Sequence, residues 1–342
     1  MIDSVLRLVW DYPTEGESTY GLQPVFVNLS EEQVRQGYQV HVVAKRLGSQ
    51  PAEERHNGVS VHRVSPPFNA NAFRALMKLT RGGGEWVVHS HATCGIFLYM
   101  LRKTGSIRYV SHSHGTSRSH HVPIRYRSGQ VQVDYSQLGI AYDMVRERLL
   151  WSSADRVLAV SRTLAQDLNE FYGINPGRLR VVYNGVDVDL FQRLRGFETP
   201  PGLQGLEGKR IVLYVGHFGL RKGVFFLIRA MSKVLLEVPD AHLVCIGGVP
   251  DLLGAADYWS LLKSEAISNG VEGHVTLLDK VRNKDLVRYY SMASAFVLPS
   301  YYESISKVTL EAMACEVPVV ASNSGGIPEV VDDGVTGLLV PY

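Results

Sequence analysis

The chain has 342 residues, of which 45% are hydrophobic and 20% are charged, a composition that excludes disordered and fibrous proteins. No apolar run reaches the roughly 18 residues of a membrane-spanning helix, and the first residues, MIDSVLRLVWDYP, lack the basic and long apolar regions of a signal peptide. Three isolated cysteines fit neither a metal motif nor a set of disulfides, so we expect a cytoplasmic protein of about two domains.

Short apolar runs alternate with helical patterns along the first half of the chain. The predicted strands are, in chain order, VLRLVW, VHVVA, VSVHRV, WVVHSH, RYVSHSH, RVLAVS and RLRVVYN. FVNLSEEQVRQG and SRTLAQDLNEFYG are predicted to be helices; Gly37 stops the first, while Ser161 caps the second and Gly173 ends it. This alternation predicts a parallel, doubly wound sheet.

The pattern is lost after Asn184, where RLRGFETPPGLQGLEGKR combines two prolines with four glycines. Regular structure restarts at RIVLYVG, a helix follows over Val224 to Leu236, and HLVCIGG, HVTLLD, AFVLP, PVVASN and the pair VTG and LLVP are predicted to be further strands. We therefore predict a first α/β domain over residues 1–190, a linker over 191–209 and a second α/β domain over 210–342.

The segment YVGHFGLRKG follows a predicted strand and opens a helix. Its glycines allow a ligand to approach the backbone closely, and the helix N-terminus offers free N–H groups to an anion. Arg221 and Lys222 add two cations where the helix dipole disfavours them unless an anion is present. We predict a phosphate site here, although glycines at such a turn also serve packing alone.

Two glutamates, Glu303 and Glu311, frame the next strand-to-helix junction, PSYYESISKVTLEAMA. Glu303 follows the strand and is positioned to accept hydrogen bonds from hydroxyl groups. Glu311 lies among small apolar residues of the helix, where a charge is costly unless it has a partner. Paired carboxylates are also what a glycosidase uses, and the simplest alternative makes Glu311 a residue of the helix surface.

Four histidines alternate near the ends of two predicted strands: His89, His91, His112 and His114. A zinc site needs three or four convergent ligands, but no cysteine or acidic residue is interleaved with them. We therefore predict no metal site. At least one of these side chains is expected in the core, with His114, beside Gly115, pointing into a cleft.

Positive charge is concentrated in the first half of the chain. Residues 1–165 hold 19 Lys and Arg against 13 Asp and Glu, and residues 68–131 hold nine basic residues, one acidic residue and six of the twelve histidines. This is either a solvated basic face or a surface for an anionic partner. RALMKLTR, residues 74–81, is a candidate basic amphipathic turn at a membrane surface.

Together these motifs resemble the retaining GT-B glycosyltransferases of family four, which use nucleotide sugars. The family signature, E-x7-E running into EAMACGxPVVA and GGxPEVVxDGxxGxLV, is matched by Glu303-SISKVTL-Glu311 and then EAMACEVPVVASNSGGIPEVVDDGVTGLLV. YVGHFGLRKG resembles the diphosphate loop, STYGLQPVFVNLSEEQVRQGYQVHVV the first βα unit, and VVYNGVDVDLF part of the domain-crossing segment. The resemblance covers nearly the whole chain and implies an α/β, GT-B fold with two Rossmann-like domains facing across a cleft.

The resemblance implies that the protein moves a hexosyl-type sugar from a nucleoside-diphosphate sugar to an acceptor hydroxyl with retention of configuration, without metal or other cofactor. Glu303 would hold the sugar, Glu311 the ribose, and Lys222 the diphosphate. The residues implied in catalysis are Lys222, Arg221, His114 and Glu303. The residues implied in donor binding are Gly21, Gly216, His217, Val281, Glu303, Ser304, Ile305, Ser306 and Glu311.

The acceptor is expected on the first domain and is a glycan, a lipid-linked group or a small molecule; no nucleic acid is implied. A peripheral position on the inner membrane face is an open alternative, suggested by the basic stretch. The donor base, the sugar and the oligomeric state are not readable from the sequence.

The chain departs from the family pattern at several positions. His217 stands where the family has an arginine, and Arg221 is the nearest residue that could supply the missing guanidinium. Of a glycine pair near the N-terminus of the family, only Gly21 is present. Asp279 and Glu316 replace two further glycines, and the chain ends at LLVPY, before the family's final helices. Two alternatives therefore stay open: another GT-B enzyme, such as a nucleotide-sugar epimerase or a phosphorylase, and a non-catalytic nucleotide-sugar-binding subunit.

Overall fold

The computed structural model describes residues 3–14, 21–95, 97–98, 107–117, 124–127, 130–133, 137–248 and 255–342. The chain forms two compact units, Met1–Arg118 with Gln137–Asn184 and Ser119–Ser136 with Gly185–Tyr342. The predicted first domain, which ran to residue 190, therefore extends past the division between Asn184 and Gly185. No helix or strand occurs over residues 185–209, which include the predicted linker.

The first unit is built on an eight-stranded sheet. The strands before residue 184 are β1 (Ser4–Leu8), β2 (Gln39–Lys45), β3 (Glu53–His56), β4 (Val59–Val64), β5 (Trp86–His91), β6 (Ile107–Ser113), β7 (Ile124–Arg127), β8 (Gln130–Val133), β9 (Arg156–Ala159) and β10 (Leu179–Val181). β7 and β8 form a separate antiparallel hairpin that groups with the second unit. The other strands are ordered β10-β9-β6-β5-β1-β2-β4-β3, and only β3 runs antiparallel to its neighbour.

The helices of the first unit are α1 (Gln23–Arg35), α2 (Phe68–Thr80), α3 (Gln137–Ser153) and α4 (Arg162–Glu170). The predicted cap of α4 is confirmed, since Ser161 Oγ accepts a hydrogen bond of 3.1 Å from the Leu164 N–H. Gly37 follows α1 with a φ of +93°, as a helix stop requires. β3 and α3 were not predicted, because β3 is a short polar edge strand and α3 exposes apolar side chains such as Tyr142 and Val145 that obscure its helical period.

The second unit is built on a six-stranded parallel sheet. Its strands are β11 (Arg210–Val215), β12 (Ala241–Ile246), β13 (Val275–Leu278), β14 (Ala293–Leu298), β15 (Val319–Ser322) and β16 (Gly337–Val340), in the order β13-β12-β11-β14-β15-β16. The remaining helices are α5 (Val224–Glu237), α6 (Ala255–Ser268), α7 (Leu286–Met292) and α8 (Lys307–Ala314). β12 is buried at every position, as expected for a parallel strand with both faces covered.

Each sheet contains a switch point, where two adjacent strands are followed by connections that leave in opposite directions. The first switch point lies between β1 and β5, and the second lies between β11 and β14. In open parallel sheets the loops after two such strands leave a crevice between them, and ligands bind there. The two switch points are therefore the expected ligand-binding positions of the two sheets.

Candidate active site

At the second switch point, the loops that follow β11 and β14 are packed backbone to backbone. The Tyr301 N–H donates a hydrogen bond of 2.8 Å to the Arg221 carbonyl. Gly223 has a φ of +73°, and a side chain there would place its Cβ closer than 3.0 Å to the Pro299 carbonyl oxygen. Only glycine satisfies both conditions, so the last glycine of YVGHFGLRKG is required for this junction whether or not a ligand is present.

The ends of β11, β12 and β13 are drawn together in the same way. The Gly247 N–H donates a 3.0 Å hydrogen bond to the Leu278 carbonyl, and a Cβ at Gly247 would collide with the Gly216 carbonyl oxygen. Gly248 lies beside Lys280, whose Cε would be 3.1 Å from an added Cβ. Lys280 is therefore a cation at the edge of the predicted phosphate loop that the sequence analysis missed, and only its position just after a strand could have signalled it.

Glu303 is buried and faces both cations of the predicted phosphate loop. Lys222 Nζ donates a hydrogen bond to Glu303 Oε1, and Arg221 Nη1 lies 3.7 Å from the same oxygen. Burial alone would raise the pKa of this carboxyl, but Lys222 and Arg221 outweigh burial and hold the pKa below its ordinary value. The structure thus brings three of the four implied catalytic residues into one ion-paired group.

The backbone of Glu303 is held by the two glycines of GGIPEV. The Gly326 N–H donates a 2.7 Å hydrogen bond to the Glu303 carbonyl. Gly325 has a φ of +57°, and a Cβ there would approach the same carbonyl oxygen closer than 3.0 Å. This part of the signature therefore has a structural reason, because it fixes the loop that presents Glu303.

The three residues after Glu303 lead into α8. Ser304 and Ile305 are buried, and Ser304 Oγ has no hydrogen-bond partner among the described residues. Ser306 caps α8, since its Oγ accepts a 3.2 Å hydrogen bond from the Thr309 N–H. All three lie where the sequence analysis placed them, between a strand end and a helix start.

Glu311 is 1% exposed, so its alternative assignment to the helix surface is wrong. Tyr290 Oη donates a hydrogen bond of 3.1 Å to Glu311 Oε2, and Lys307 Nζ lies 3.2 Å from Oε1. Burial raises the pKa of this carboxyl, an effect that Lys307 and Tyr290 only partly offset. A buried carboxyl with so few partners is a costly feature that a purely structural helix would not need.

His217 does not replace the family's arginine by charge. Although more than a third of the residue is exposed, partial desolvation of the ring and the cations Lys222 and Lys280 lower its pKa. A neutral imidazole therefore follows Gly216, and the positive charge is supplied by Arg221, Lys222 and Lys280. Val281, which follows Lys280, is half-buried against the core of the second unit.

At the first switch point, the four histidines at the ends of β5 and β6 form one stacked group, called here the histidine cluster (His89, His91, His112 and His114). The strands are parallel neighbours with His91 opposite His112, and ring centroids in the cluster lie 4.4–5.5 Å apart. Burial is the main cause that lowers the pKa of every member, that of His114 to about 4. All four rings are therefore neutral at pH 7.

Arg7, on β1, completes this group and was missed by the sequence analysis. Its side chain is fully buried, and its Nη1 lies 3.2 Å from His89 Nδ1 and 3.1 Å from His91 Nε2. His91 Nδ1 in turn lies 2.9 Å from His114 Nε2. The only sequence signal was one charged residue inside the apolar strand VLRLVW.

A metal ion does not fit the histidine cluster. The ring nitrogens of His89, His91 and His112 lie within 4.8 Å of one another, which is close enough for shared ligation. However, both ring nitrogens of His91 already have hydrogen-bond partners, and the buried guanidinium of Arg7 would repel a cation. The donor set therefore argues against a metal here.

The remaining predicted features lie elsewhere in the first unit. Gly21 is exposed, with a φ of +56°, two residues before α1. Helix α2 buries its apolar stripe of Phe68, Ala72 and Leu76, while Arg74 and Lys78 on the helix and Arg81 directly after it are exposed. Arg102, Lys103, Arg118, His120 and His121 of the basic stretch lie outside the described residues. Among the described residues, no helix combines the length and the apolar character that crossing a membrane requires.

Two family models match the chain, one over its N-terminal part and one over its C-terminal part. The model described as Glycosyltransferase Family 4 matches residues 20–190, and the one described as Glycosyl transferases group 1 matches residues 199–342. An uncharacterized glycosyltransferase of Methanocaldococcus jannaschii is 28% identical over 98% of this chain and 84% of that protein.

Solved structures of glycosyltransferases share the fold over nearly the whole chain. A sucrose-phosphate synthase from Thermosynechococcus elongatus has a TM-score of 0.80 at 21% identity, covering 99% of this chain and 86% of that one. HepE from Anabaena, in complex with UDP-glucose, has a TM-score of 0.73 at 19% identity, covering 99% of this chain and 85% of that one. The GT-B architecture with two Rossmann-like domains is thereby confirmed.

Proposed function

This chain belongs to glycosyltransferase family 4, and from that premise we propose that it transfers a hexosyl-type sugar from a nucleoside-diphosphate sugar to an acceptor hydroxyl, with retention of configuration and without a metal ion. The observation that carries the proposal is the ion-paired group of Lys222, Arg221 and Glu303 at the second switch point. The two cations can bind a diphosphate, and the carboxylate can accept hydrogen bonds from sugar hydroxyls. The group lies at the edge of the sheet where open parallel sheets bind ligands.

The leaving diphosphate is assigned to Lys222 and Arg221. Negative charge develops on it as the bond to the sugar breaks, and cations aimed at that charge lower the barrier. The free N–H groups at the start of α5, directly after Lys222, add to this field. These groups do the work that a divalent ion does in other transferases, which is why we propose that none is needed.

The two carboxyl groups are assigned to the two ends of the donor. Glu303 carries full negative charge near neutral pH and so accepts hydrogen bonds from the sugar hydroxyls, while Lys222 keeps further N–H donors for phosphate oxygens. Glu311 is assigned to the ribose hydroxyls, with Tyr290 and Lys307 fixing its orientation. His114 keeps the catalytic role that the resemblance implies, and we assign it a contact with substrate.

The acceptor is proposed to be anionic, because the charged side chains exposed on α2 and directly after it, Arg74, Lys78 and Arg81, are all cations. Since the apolar stripe of α2 packs inward, any contact with a membrane would be electrostatic and would involve no inserted side chain. Co-sedimentation with vesicles of neutral and of anionic lipid tests the lipid-linked version. Equal binding to both kinds of vesicle would leave a glycan or a small anionic molecule as the acceptor.

The experiment that tests the function is a melting screen against nucleoside diphosphates and nucleotide sugars in the presence of EDTA, with UDP-glucose included because HepE was solved with it. A ligand at about 100 times its dissociation constant stabilises the native state by about 2.7 kcal/mol. We expect one nucleotide sugar to raise the melting temperature, Glu311→Ala to abolish the rise and the exposed-site control Glu237→Ala to keep it. No shift with any donor would contradict the proposal.

Turnover separates this function from the two alternatives. Release of the nucleoside diphosphate only in the presence of an acceptor, with a product whose anomeric configuration by proton NMR matches that of the donor, is the expected result. An epimerase would convert the donor without an acceptor, and a phosphorylase would require inorganic phosphate. Binding without turnover would favour a non-catalytic subunit, which the neutral His217 in place of an arginine makes the strongest competitor.

A further inference from the structure

Arg7 is a buried cation that has no acidic partner among the described residues. Its side chain is fully buried on β1, and Nε donates a 2.9 Å hydrogen bond to Ser30 Oγ. Nη2 donates to Gln33 Oε1, and Nη1 faces His89 and His91. Ser30 Oγ itself donates 2.6 Å to the Phe26 carbonyl, so its lone pairs are free for Arg7. The guanidinium is thus anchored on one side by α1 and directed on the other at two imidazoles.

The direction of each hydrogen bond follows from the chemistry of the donor. A guanidinium can only donate, so His91 Nε2 must accept from Arg7 and cannot carry a proton. A neutral imidazole has one N–H, and that of His91 is therefore at Nδ1, where it donates over 2.9 Å to His114 Nε2. His114 Nε2 is then an acceptor, and the single proton of His114 is at Nδ1.

We infer that Arg7 sets the tautomer of His114 through His91, so that His114 holds its proton at Nδ1 and serves as a hydrogen-bond donor to a substrate oxygen. The inference rests on the proposed function only in taking His114 as a substrate contact. Arg7 is a positioning residue in this scheme, because it touches no substrate and acts through another side chain. His114 Nδ1 is buried and has no hydrogen-bond partner among the described residues, so its proton stays unsatisfied until an acceptor such as a substrate oxygen meets it.

The geometry between the two rings does not choose the tautomer by itself. The same 2.9 Å separation would also suit the reverse arrangement, in which His114 donates from Nε2 to His91 Nδ1. Free histidine favours the Nε2–H form, so without Arg7 both rings would adopt the reverse arrangement and His114 Nδ1 would become an acceptor. The charge on Arg7 therefore decides whether the ring offers a donor or an acceptor at Nδ1.

The test is a measurement of ring nitrogen shifts by NMR on protein labelled with nitrogen-15 at histidine, at pH 7.5 with EDTA to remove any bound metal. The signals of His114 are assigned by their loss in His114→Asn. We expect the wild-type protein to show His114 as Nδ1–H. We expect Arg7→Met to convert it to Nε2–H, and Arg7→Lys, which keeps a cationic donor, to restore part of the Nδ1–H form.

Gln33→Ala is the matched control, because it removes one anchor of Arg7 without touching the Nη1 contacts, and it should leave His114 as Nδ1–H. His91→Phe provides a second route, since it interrupts the relay and should also yield Nε2–H. The inference is overturned by a wild-type His114 in the Nε2–H form, a measurement that does not depend on any variant folding. It is equally overturned if Arg7→Met and His91→Phe fold and leave the Nδ1–H form unchanged.

A titration with UDP-glucose separates this inference from the proposed function. A shift of the His114 Nδ1 signal on addition of the sugar nucleotide would support the donor role. An unchanged signal, in protein whose melting temperature the same ligand raises, would overturn the substrate contact of His114 while the control by Arg7 stood. Failure of the inference and failure of the proposed function therefore give different results in these two measurements.

Discussion

The two switch points balance their buried charges in different ways. At the first, the guanidinium of Arg7 is surrounded by neutral acceptors, whereas at the second, Lys222 and Arg221 face the carboxylate of Glu303. Neutral acceptors have fixed directions, and they hold a cation in one arrangement without cancelling its charge. An ion pair is less directional, and its cations can share a second anion such as a phosphate.

This difference indicates separate tasks for the two regions. The first region, with its chain of hydrogen bonds, is suited to presenting one polar group in a defined state. In the second region, two cationic side chains surround one carboxylate and can also bind a second anion. This region is therefore suited to binding a negatively charged ligand. The four predictions that follow disturb one side or the other, in order of decreasing expected effect.

Acidification is expected to have the largest effect and to act on the first region. The histidines of the cluster have pKa values well below the ordinary 6.5, so the unfolded state binds more protons than the folded state below that pH. The free energy of unfolding therefore falls as the pH drops from 6.5 toward 5, by at most about 1.4 kcal/mol per pH unit for each histidine.

Calorimetry between pH 7.5 and 5.0 measures this effect. Glu303 has a depressed pKa, so its contribution is present above the ordinary value of 4.5 and is lost only as the pH falls below it. In the second region the lowered pKa of the single histidine His217 acts in the same direction as the cluster, while the raised pKa of Glu311 acts in the opposite direction, so most of the fall should come from the four histidines of the first region. A melting temperature that stays constant down to pH 5.5 would show that the cluster is not buried in neutral form.

Lys222→Ala is expected to reduce turnover by about 10²–10³-fold, equivalent to about 2.7–4 kcal/mol, because it removes the cation nearest Glu303 and the proposed leaving group. Steady-state rates with the donor found in the melting screen test this. Lys233→Ala, at an exposed position on α5 in the same unit, is the control and should retain wild-type turnover. Near-normal turnover of Lys222→Ala would refute the assigned role.

Gly223→Ala is expected to destabilise the second switch point. The left-handed backbone at a φ of +73° costs a side chain about 1–2 kcal/mol, and the collision with the Pro299 carbonyl adds about 1–3 kcal/mol. Gly205→Ala is a matched control, since Gly205 has a φ of +83° and nothing within 4 Å of its added Cβ. Chemical denaturation should give a larger loss for Gly223→Ala, and equal losses would mean that the two loops are not in contact.

His112→Leu is expected to have the smallest effect, a gain of about 1 kcal/mol in the free energy of unfolding at pH 7, because neither buried ring nitrogen of His112 has a hydrogen-bond partner among the described residues. The gain should grow as the pH falls, since one depressed pKa is removed. His62→Leu is the control, because it breaks a 3.1 Å hydrogen bond with His41 and should bring no gain. A loss of stability in His112→Leu would indicate a partner that balances its polar ring.

Much of the fold was predictable because its signals are local. Apolar runs of strand length, helix patterns and the stop at Gly37 depend only on neighbouring residues, and the structure confirms most of them. The predicted pair of strands VTG and LLVP is wrong in part, because the structure has the single strand β16 (Gly337–Val340) there. Helix α3 and the edge strand β3 were missed because their local patterns are obscured. Exposed apolar side chains hide the helical period of α3, and β3 is too polar to show an apolar run. The site motifs were found because glycines and charges at a strand end follow a spacing that the chain itself displays.

The sequence by itself determined the alternation of strands and helices, the family signature and the positions of Glu303, Glu311 and Lys222 along it. Only the tertiary structure decided how the charges are balanced. Arg7 meets His91 across 84 positions of the chain, and Lys222 meets Glu303 across 81. Burial and hydrogen-bond direction at such pairs depend on which strands become neighbours in a sheet, and residues so far apart leave no common pattern in the linear sequence.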